Sequence, residues 1–180
     1  MAATSKNARI IAQVWQSGVP VPWCDEFEKM ISGMNFKAAN SQLMLDHKLV
    51  TRRRLKAFND DSIPDGSTLD SLKSHRMSFA RQIFGRLGSD TNIEPLLFCT
   101  WGCNTFIGDD CYINRNISIF DSAPVTIGNR VLIGPGTCIC TDTHEVEYAS
   151  RMESNSGSFA KAIKICDDCW IGARKYSEAE

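Results

Sequence analysis

Ile107-Gly-Asp-Asp-Cys-Tyr112, Ile113-Asn-Arg-Asn-Ile-Ser118 and Ile119-Phe-Asp-Ser-Ala-Pro124 read in sixes. After a two-residue step, Val125-Thr126, the period resumes with Ile127-Gly-Asn-Arg-Val-Leu132, Ile133-Gly-Pro-Gly-Thr-Cys138 and Ile139-Cys-Thr-Asp-Thr-His144. Isoleucine opens every hexad, and a small or apolar residue stands four places on: Cys111, Ile117, Ala123, Val131, Thr137, Thr143. Such a period is too short for a helical repeat and marks a parallel β-helix, each hexad forming one flat side of a triangular coil. The first residue points inward and stacks on its counterpart one coil later. The residue four places on is also inward and must be small. The second position turns a corner, which favours Gly. One coil cannot bury its own face, so stability comes from stacking coils.

Working outward towards the C-terminus, the polar run from Glu145 to Lys161 predicts an excursion loop over residues 145–162. Long loops in compact domains are often functional. The frame returns with Ile165-Cys-Asp-Asp-Cys-Trp170 and Ile171-Gly-Ala-Arg-Lys-Tyr176. Lys175 then falls on the small inward position, where burying an ammonium is costly, and Ser177 stands where an aliphatic residue should open the next hexad. The repeat is therefore expected to stop at about Gly172, with the β-helical region bounded at 89–175 and residues 176–180 a tail.

Towards the N-terminus, residues 25–88 predict helices. Asp25 caps a helix to about Ser32. Asn40 or Ser41 caps a second over about 42–58, with Leu45, Leu49, Leu55 and Phe58 on one side. Arg52-Arg-Arg54 within it reads as a solvated face or a phosphate contact. Asn59–Gly66 is a linker. Thr68 caps a third helix over about 69–86, with Leu72, Phe79, Ile83 and Leu87 at helical spacing. Strand-like sequence begins near Ile93. Residues 1–24 form an extension, in which Ile10, Ile11, Val14 and Trp15 suit a short amphipathic turn.

Composition narrows the function classes. The chain has 180 residues, 43% of them hydrophobic, and a net charge of −1. Electrostatics alone suggest neither nucleic acid nor an anionic membrane as partner. The N-terminus has no signal-peptide-like apolar run, and no apolar stretch has bilayer-spanning length. A cytoplasmic location is the expectation. Eight cysteines admit a metal or redox module. The hexad frame offers another account: Cys111 and Cys169 fall on the small inward position and Cys140 and Cys166 on the second position, so they read as packing residues. Zinc would require a second paired motif of clean spacing, so no metal is expected.

With these motifs in place, the chain resembles the maltose/galactoside O-acetyltransferase family of hexapeptide-repeat acyltransferases, which includes nodulation acetyltransferases. The matching stretches are Glu28-Lys-Met-Ile-Ser-Gly33, Arg54-Leu-Lys-Ala-Phe-Asn59, Ile93-Glu-Pro95, Ile107-Gly108, Asn114, Val125-Thr-Ile-Gly128, Thr143-His144 and Ile165 to Gly172. The resemblance implies a mainly β fold, a left-handed parallel β-helix with an N-terminal helical arm. It implies a homotrimer with active sites between subunits, and acetyl transfer from acetyl-CoA to a hydroxyl of a small sugar or related alcohol without a metal.

The same resemblance assigns roles. His144 matches the general base, an imidazole suited to taking a proton near neutrality; by pattern alone it is equally a surface corner. His47 and His75 lie in predicted helices and read as solvated or packed. A related β-helix class binds zinc through three histidines, whereas this repeat region has one. Asn114 matches an acceptor-binding amide, or else is a corner residue with positive φ. Asp121 and Ser122 lie where the family has acidic residues near the acceptor, Ser122 replacing one of them. Thr100 lies near the sugar position. Trp170 matches an aromatic beside thioester and acceptor, and also suits a subunit interface. Backbone N–H groups around Trp170, Gly172 and Ala173 are expected to steady the oxyanion of the acetyl donor. Phe36-Lys37-Ala38 and Asn40 depart from the family's arm. The family continues beyond the Trp-Ile-Gly motif, where most of its acetyl-CoA groove lies. The alternative expectation is therefore a truncated, catalytically inactive homologue that oligomerises or binds sugar only.

Overall fold

The computed structural model describes residues 1–149 and 158–178. Four helices precede the coils: α1 (Ala8–Val14), α2 (Asp25–Ile31), α3 (Gln42–Phe58) and α4 (Leu69–Ile83). Fourteen strands follow: β1 (Arg86–Leu87), β2 (Asn92–Ile93), β3 (Leu97–Cys99), β4 (Thr105–Ile107), β5 (Tyr112–Ile113), β6 (Ile117–Phe120), β7 (Val125–Ile127), β8 (Leu132–Ile133), β9 (Cys138–Cys140), β10 (Asp142–Thr143), β11 (Phe159–Ala160), β12 (Ile163–Ile165), β13 (Trp170–Ile171) and β14 (Tyr176–Glu178).

Twelve of these strands form three parallel sheets: sheet I is β1-β4-β7-β12, sheet II β2-β5-β8-β13 and sheet III β3-β6-β9-β14. This is a left-handed parallel β-helix, with four coils among the described residues. Register follows the period. Phe106 pairs with Thr126 and Tyr112 with Leu132; in the last step Val125 pairs with Ile163 and Leu132 with Trp170. The added length of that step is the excursion, described only at its two ends, where β10 and β11 pair antiparallel. The rest of the excursion expected over 145–162 lies outside the described residues.

Hexad-opening isoleucines form the axis of the core: Ile107, Ile113, Ile119, Ile127, Ile133 and Ile139 are all buried. Cys111, Ile117, Ala123, Val131 and Thr137 line the small inward positions and are buried as expected. Thr143 is not: the chain leaves the coil one corner earlier, and Thr141 is the buried residue. There the Thr141 hydroxyl donates to the Phe120 carbonyl and accepts from the Ala123 N–H. Second-position glycine has a reason other than the one read from sequence. A Cβ on Gly108 would lie 2.5 Å from the carbonyl oxygen of Gly128, so the next coil's backbone excludes it. Positive φ occurs at the fourth position instead, in Asp110, Asn116, Arg130, Asp168 and Arg174.

Two boundaries and one buried helix face differ from expectation. The first coil starts at Arg86, paired with Phe106, because Phe84 takes an extended backbone and ends α4 early. At the other end, the frame does not stop at Gly172. Tyr176–Glu178, expected as tail, pairs with Cys138–Cys140. Lys175 is exposed there. On α3 the buried side is Met44, Thr51, Leu55 and Phe58, whereas Leu45 and Leu49 are exposed.

Helices α3 and α4 close the N-terminal end of the prism. Leu55, Phe58, Met77, Ala80 and Ile83 join the coil isoleucines in one core. Ser41 caps α3 and Thr68 caps α4 in a capping box with Ser71. Asp25 is not a cap: it is the first residue of α2, behind Cys24, and pairs with Lys6 and Lys29. Asn59 clamps the arm to β3, its amide donating to the Leu97 carbonyl at 2.7 Å and accepting from the Leu97 N–H at 2.8 Å. Residues 1–24 wrap the same assembly. Val14 is buried in a second core with Phe27, Met30 and Trp101, and Gln13 reaches the outer face of sheet I through Thr126. Among the described residues no helix is long and apolar enough to cross a membrane.

Candidate active site

The sequence-predicted residues occupy two different corners of the prism. Thr100 follows β3, Asp121 and Ser122 follow β6, and His144 follows β10, all on the side where sheet III turns towards sheet I. Asn114 follows β5 and Gly172 and Ala173 follow β13, where sheet II turns towards sheet III. Trp170 projects from sheet II, 79% exposed and in register with Leu132. A single chain does not bring the two groups together, since the width of sheet III separates these corners.

The first corner is built on Asp121. Its carboxylate is fully buried. It accepts from the backbone N–H of Thr100 (3.1 Å), Trp101 (2.8 Å) and Gly102 (2.7 Å) and from the Thr105 hydroxyl (2.9 Å). Burial pushes its pKa up to about 6, against the lowering effect of the Trp101 N–H, the Thr105 hydroxyl and the Gly102 N–H. Asp121, expected at the acceptor, is thus enclosed and holds the Thr100–Gly102 turn in shape. The turn docks under α3, where the His47 Nε2–H and the Thr51 hydroxyl both donate to the Trp101 carbonyl, at 2.9 and 3.2 Å. His47 is therefore a packed residue that stacks on the Trp101 ring.

Beside this turn opens a cleft of about 680 Å³. Thr100, Phe120, Ser122 and Asp142 line it from the coils, Lys48 from α3, and the Phe36–Asn40 segment from the arm. Ser122 accepts from the Trp101 indole N–H at 3.3 Å and hydrogen-bonds the Asp142 carboxyl. Burial raises the Asp142 pKa, while Ser122, the Lys48 ammonium and His144 draw it back. Lys48 Nζ sits 4.5 Å from the Trp101 ring centroid, and burial lowers its pKa. His144 lies outside the lining, two residues beyond Asp142, and is exposed to solvent. Sequence reading missed Lys48 and Asp142. Lys48 carries no signal of its own in the sequence, and only the docking of α3 over Trp101 turns it into the cleft. The acid in Thr141-Asp-Thr-His144 was the available signal for Asp142.

At the second corner, the Asn114 amide oxygen accepts from the Arg115 N–H at 2.8 Å. The left-handed residue there is Asn116, with φ 60°, so backbone conformation does not explain an amide at position 114. Leu132, Tyr112 and Trp170 form an exposed apolar column on sheet II. A smaller cavity of about 400 Å³, between the Asp60–Ser67 linker and α4, contains none of the predicted residues. Cys111 is buried at its inward position and Cys166 is exposed. Among the described residues no group of three or more His, Cys, Asp or Glu is arranged to hold a metal.

Comparison with known proteins completes the picture. A family profile described as the maltose acetyltransferase hexapeptide capping motif matches residues 29–88. That range is the arm that closes the prism. Nodulation protein L of Rhizobium meliloti is 32% identical over 145 residues, covering 81% of this chain and 74% of its own length. A maltose O-acetyltransferase from Clostridium difficile superposes with a TM-score of 0.75 at 26% identity, covering 86% of this chain and 78% of that one. A hexapeptide-repeat-containing acetyltransferase from Vibrio cholerae, solved with acetyl-coenzyme A, gives a TM-score of 0.69 at 32% identity, covering 85% and 84%.

Proposed function

The chain belongs to the maltose/galactoside O-acetyltransferase family of hexapeptide-repeat acetyltransferases, and on that premise we propose that it moves the acetyl group of acetyl-CoA to a hydroxyl of a small sugar. The observation that carries this reading is the cleft beside His144, lined by hydroxyl, ammonium and carboxylate groups on a scaffold shared with an acetyl-CoA-bound relative.

His144 acts as general base. Its imidazole takes the proton from the acceptor hydroxyl as that oxygen attacks the thioester carbonyl. The carbonyl oxygen becomes an oxyanion, held by backbone N–H groups around Trp170, Gly172 and Ala173. Collapse re-forms the carbonyl and breaks the C–S bond, and the imidazolium returns its proton to the departing thiolate. The acetyl ester and free CoA leave. Asn114 steadies the acceptor by donating and accepting at its amide.

The separation of the two corners supports a homotrimer. His144 of one subunit and Asn114, Trp170 and Gly172 of a neighbour then complete one site, with the Tyr112–Leu132–Trp170 column covered in the assembly. Location in the cytoplasm goes with this reading.

The test is thiol release from acetyl-CoA with a panel of mono- and disaccharides, for wild type and His144→Ala. Loss of general-base catalysis predicts a fall in kcat of about 10²- to 10⁴-fold. Equal rates in the two proteins reject His144 as the base.

A further inference from the structure

The cleft contains one carboxylate and one half-buried ammonium that no role above uses. Asp121 is unavailable to a ligand, since it is fully buried and bonded to four protein donors. The carboxylate that lines the cleft is Asp142, one coil further on. Ser122 has a single proton, and its oxygen already accepts from the Trp101 indole. The hydrogen bond between Ser122 and Asp142 therefore fixes the carboxyl while leaving its other lone pairs to accept from a ligand.

Lys48 is the complement. Its ammonium sits over the Trp101 ring, with Nζ 4.5 Å from the centroid, which restricts where the charge goes. Among the described residues no carboxylate is within ion-pair distance of it, although Asp142 and Asp121 act on it electrostatically. Lys48 lines the same cleft as the Asp142 acceptor, and its ammonium carries donors only. The opposite charges offset each other, Lys37 on the rim is exposed to solvent, and Phe36 and Phe120 supply apolar wall. Such a lining suits a neutral ligand that presents adjacent hydroxyls on an apolar ring.

We propose that Lys48 and Asp142 determine acceptor specificity, Lys48 donating to one hydroxyl and Asp142 accepting from its neighbour, so that the next hydroxyl on the sugar faces His144. Asp142 stands two residues from His144 on the same segment, so the residue that grips the diol is tied to the one that takes the proton. The inference rests on the acetyltransferase reading for its chemistry, but the grip itself is a binding property.

The experiment is therefore a binding titration on the full chain. Calorimetry measures methyl β-galactoside and methyl α-glucoside, and the monodeoxy analogues of each, against wild type, Lys48→Met and Asp142→Asn. Both substitutions keep side-chain length or shape and remove a charge, and circular dichroism checks that each variant folds. Wild type is expected to bind at least one parent glycoside and to reject an analogue lacking one of the paired hydroxyls. A site built to hydrogen-bond a hydroxyl discriminates strongly against its absence. Each variant is expected to lose about tenfold or more in affinity for the parent while its affinity for that analogue stays level. In turnover assays the same variants raise the acceptor KM and leave the acetyl-CoA KM unchanged, and Lys48→Arg, which restores a cationic donor, recovers part of the loss. Absence of glycoside binding to wild type overturns the proposal, as does binding that neither variant weakens. Glycoside binding without acetyl transfer leaves the diol grip standing and rejects the acetyltransferase reading instead.

Discussion

Asp121 shows how far a single residue's role depends on its surroundings. In the sequence it is an acid beside Ser122 at an expected acceptor position. In the fold it is buried and accepts from four protein donors, three of them backbone N–H groups. Truncation to Ala leaves those donors buried and unpaired, at a cost of about 3 kcal/mol or more. Its titration gives a second outcome. Burial lifts the folded-state pKa to about 6 from an ordinary 3.8. Between those values the folded protein holds a proton that the unfolded chain has released, so stability falls as pH rises through this window and levels off above it. Asp121→Asn, neutral and of similar shape, lacks this dependence. Thermal unfolding at pH 4.5 and pH 7 should show the variant gaining on wild type at the higher pH, by about 2 kcal/mol. A pH-independent difference rejects the assignment. His144 was legible as a corner residue by counting sixes, and Thr100 came only from the family resemblance. The enclosure of Asp121 was not legible, because it requires the turn after β3 to fold down over the end of β6.

At the scale of an element, the coil shows why second-position glycine recurs. Gly108 faces the backbone of the next coil, with Gly128 carbonyl oxygen 2.5 Å from where a Cβ would stand. Gly172, in the corresponding place on the final described coil, would present its Cβ to nothing nearer than Lys175 Cε at 3.8 Å. Gly108→Ala is therefore expected to destabilise by about 1–3 kcal/mol through overpacking, while Gly172→Ala stays near wild type. Chemical denaturation of the two variants makes the comparison, and equal midpoints reject the stacking explanation. The pattern was readable from sequence, but its cause was misassigned, since one hexad carries no information about the distance to the next coil. Helix α3 gives the parallel case. Its limits at Gln42 and Phe58 followed from Ser41 and the spacing of apolar residues. Its buried side did not, because Leu45 and Leu49 fit a helical stripe as well as Met44 and Thr51 do. Docking on Trp101 and β3 selects the latter.

For the whole molecule, the two corners make assembly a condition of the proposed chemistry. The exposed column Tyr112, Leu132 and Trp170 on sheet II is the surface such an assembly would cover. Leu132→Glu sets a carboxylate in the middle of it, where burial without a partner is unfavourable. Analytical ultracentrifugation is expected to find wild type as a trimer and Leu132→Glu as a monomer without acetyl transfer. A monomeric wild type that still transfers acetyl rejects the shared site. The N-terminal segment also gains its meaning at this scale. Residues 1–24 have a modest apolar pattern of their own, yet Val14, Phe27 and Trp101 meet in one core, a contact between distant parts of the chain that no local pattern encodes.

The hexad period by itself determined that this chain is a β-helix, which isoleucines form its axis and which stretch ends at His144, because inward stacking is dictated by side-chain spacing along a single coil. The matched motifs added the family and named a base and an amide. Tertiary structure alone decided that Asp121 is enclosed, that Asp142 and Lys48 share the cleft, and that the coil frame runs on through Tyr176–Glu178. Those outcomes depend on what lies across a corner or above a coil, and that is fixed only when the coils and the helical arm have packed.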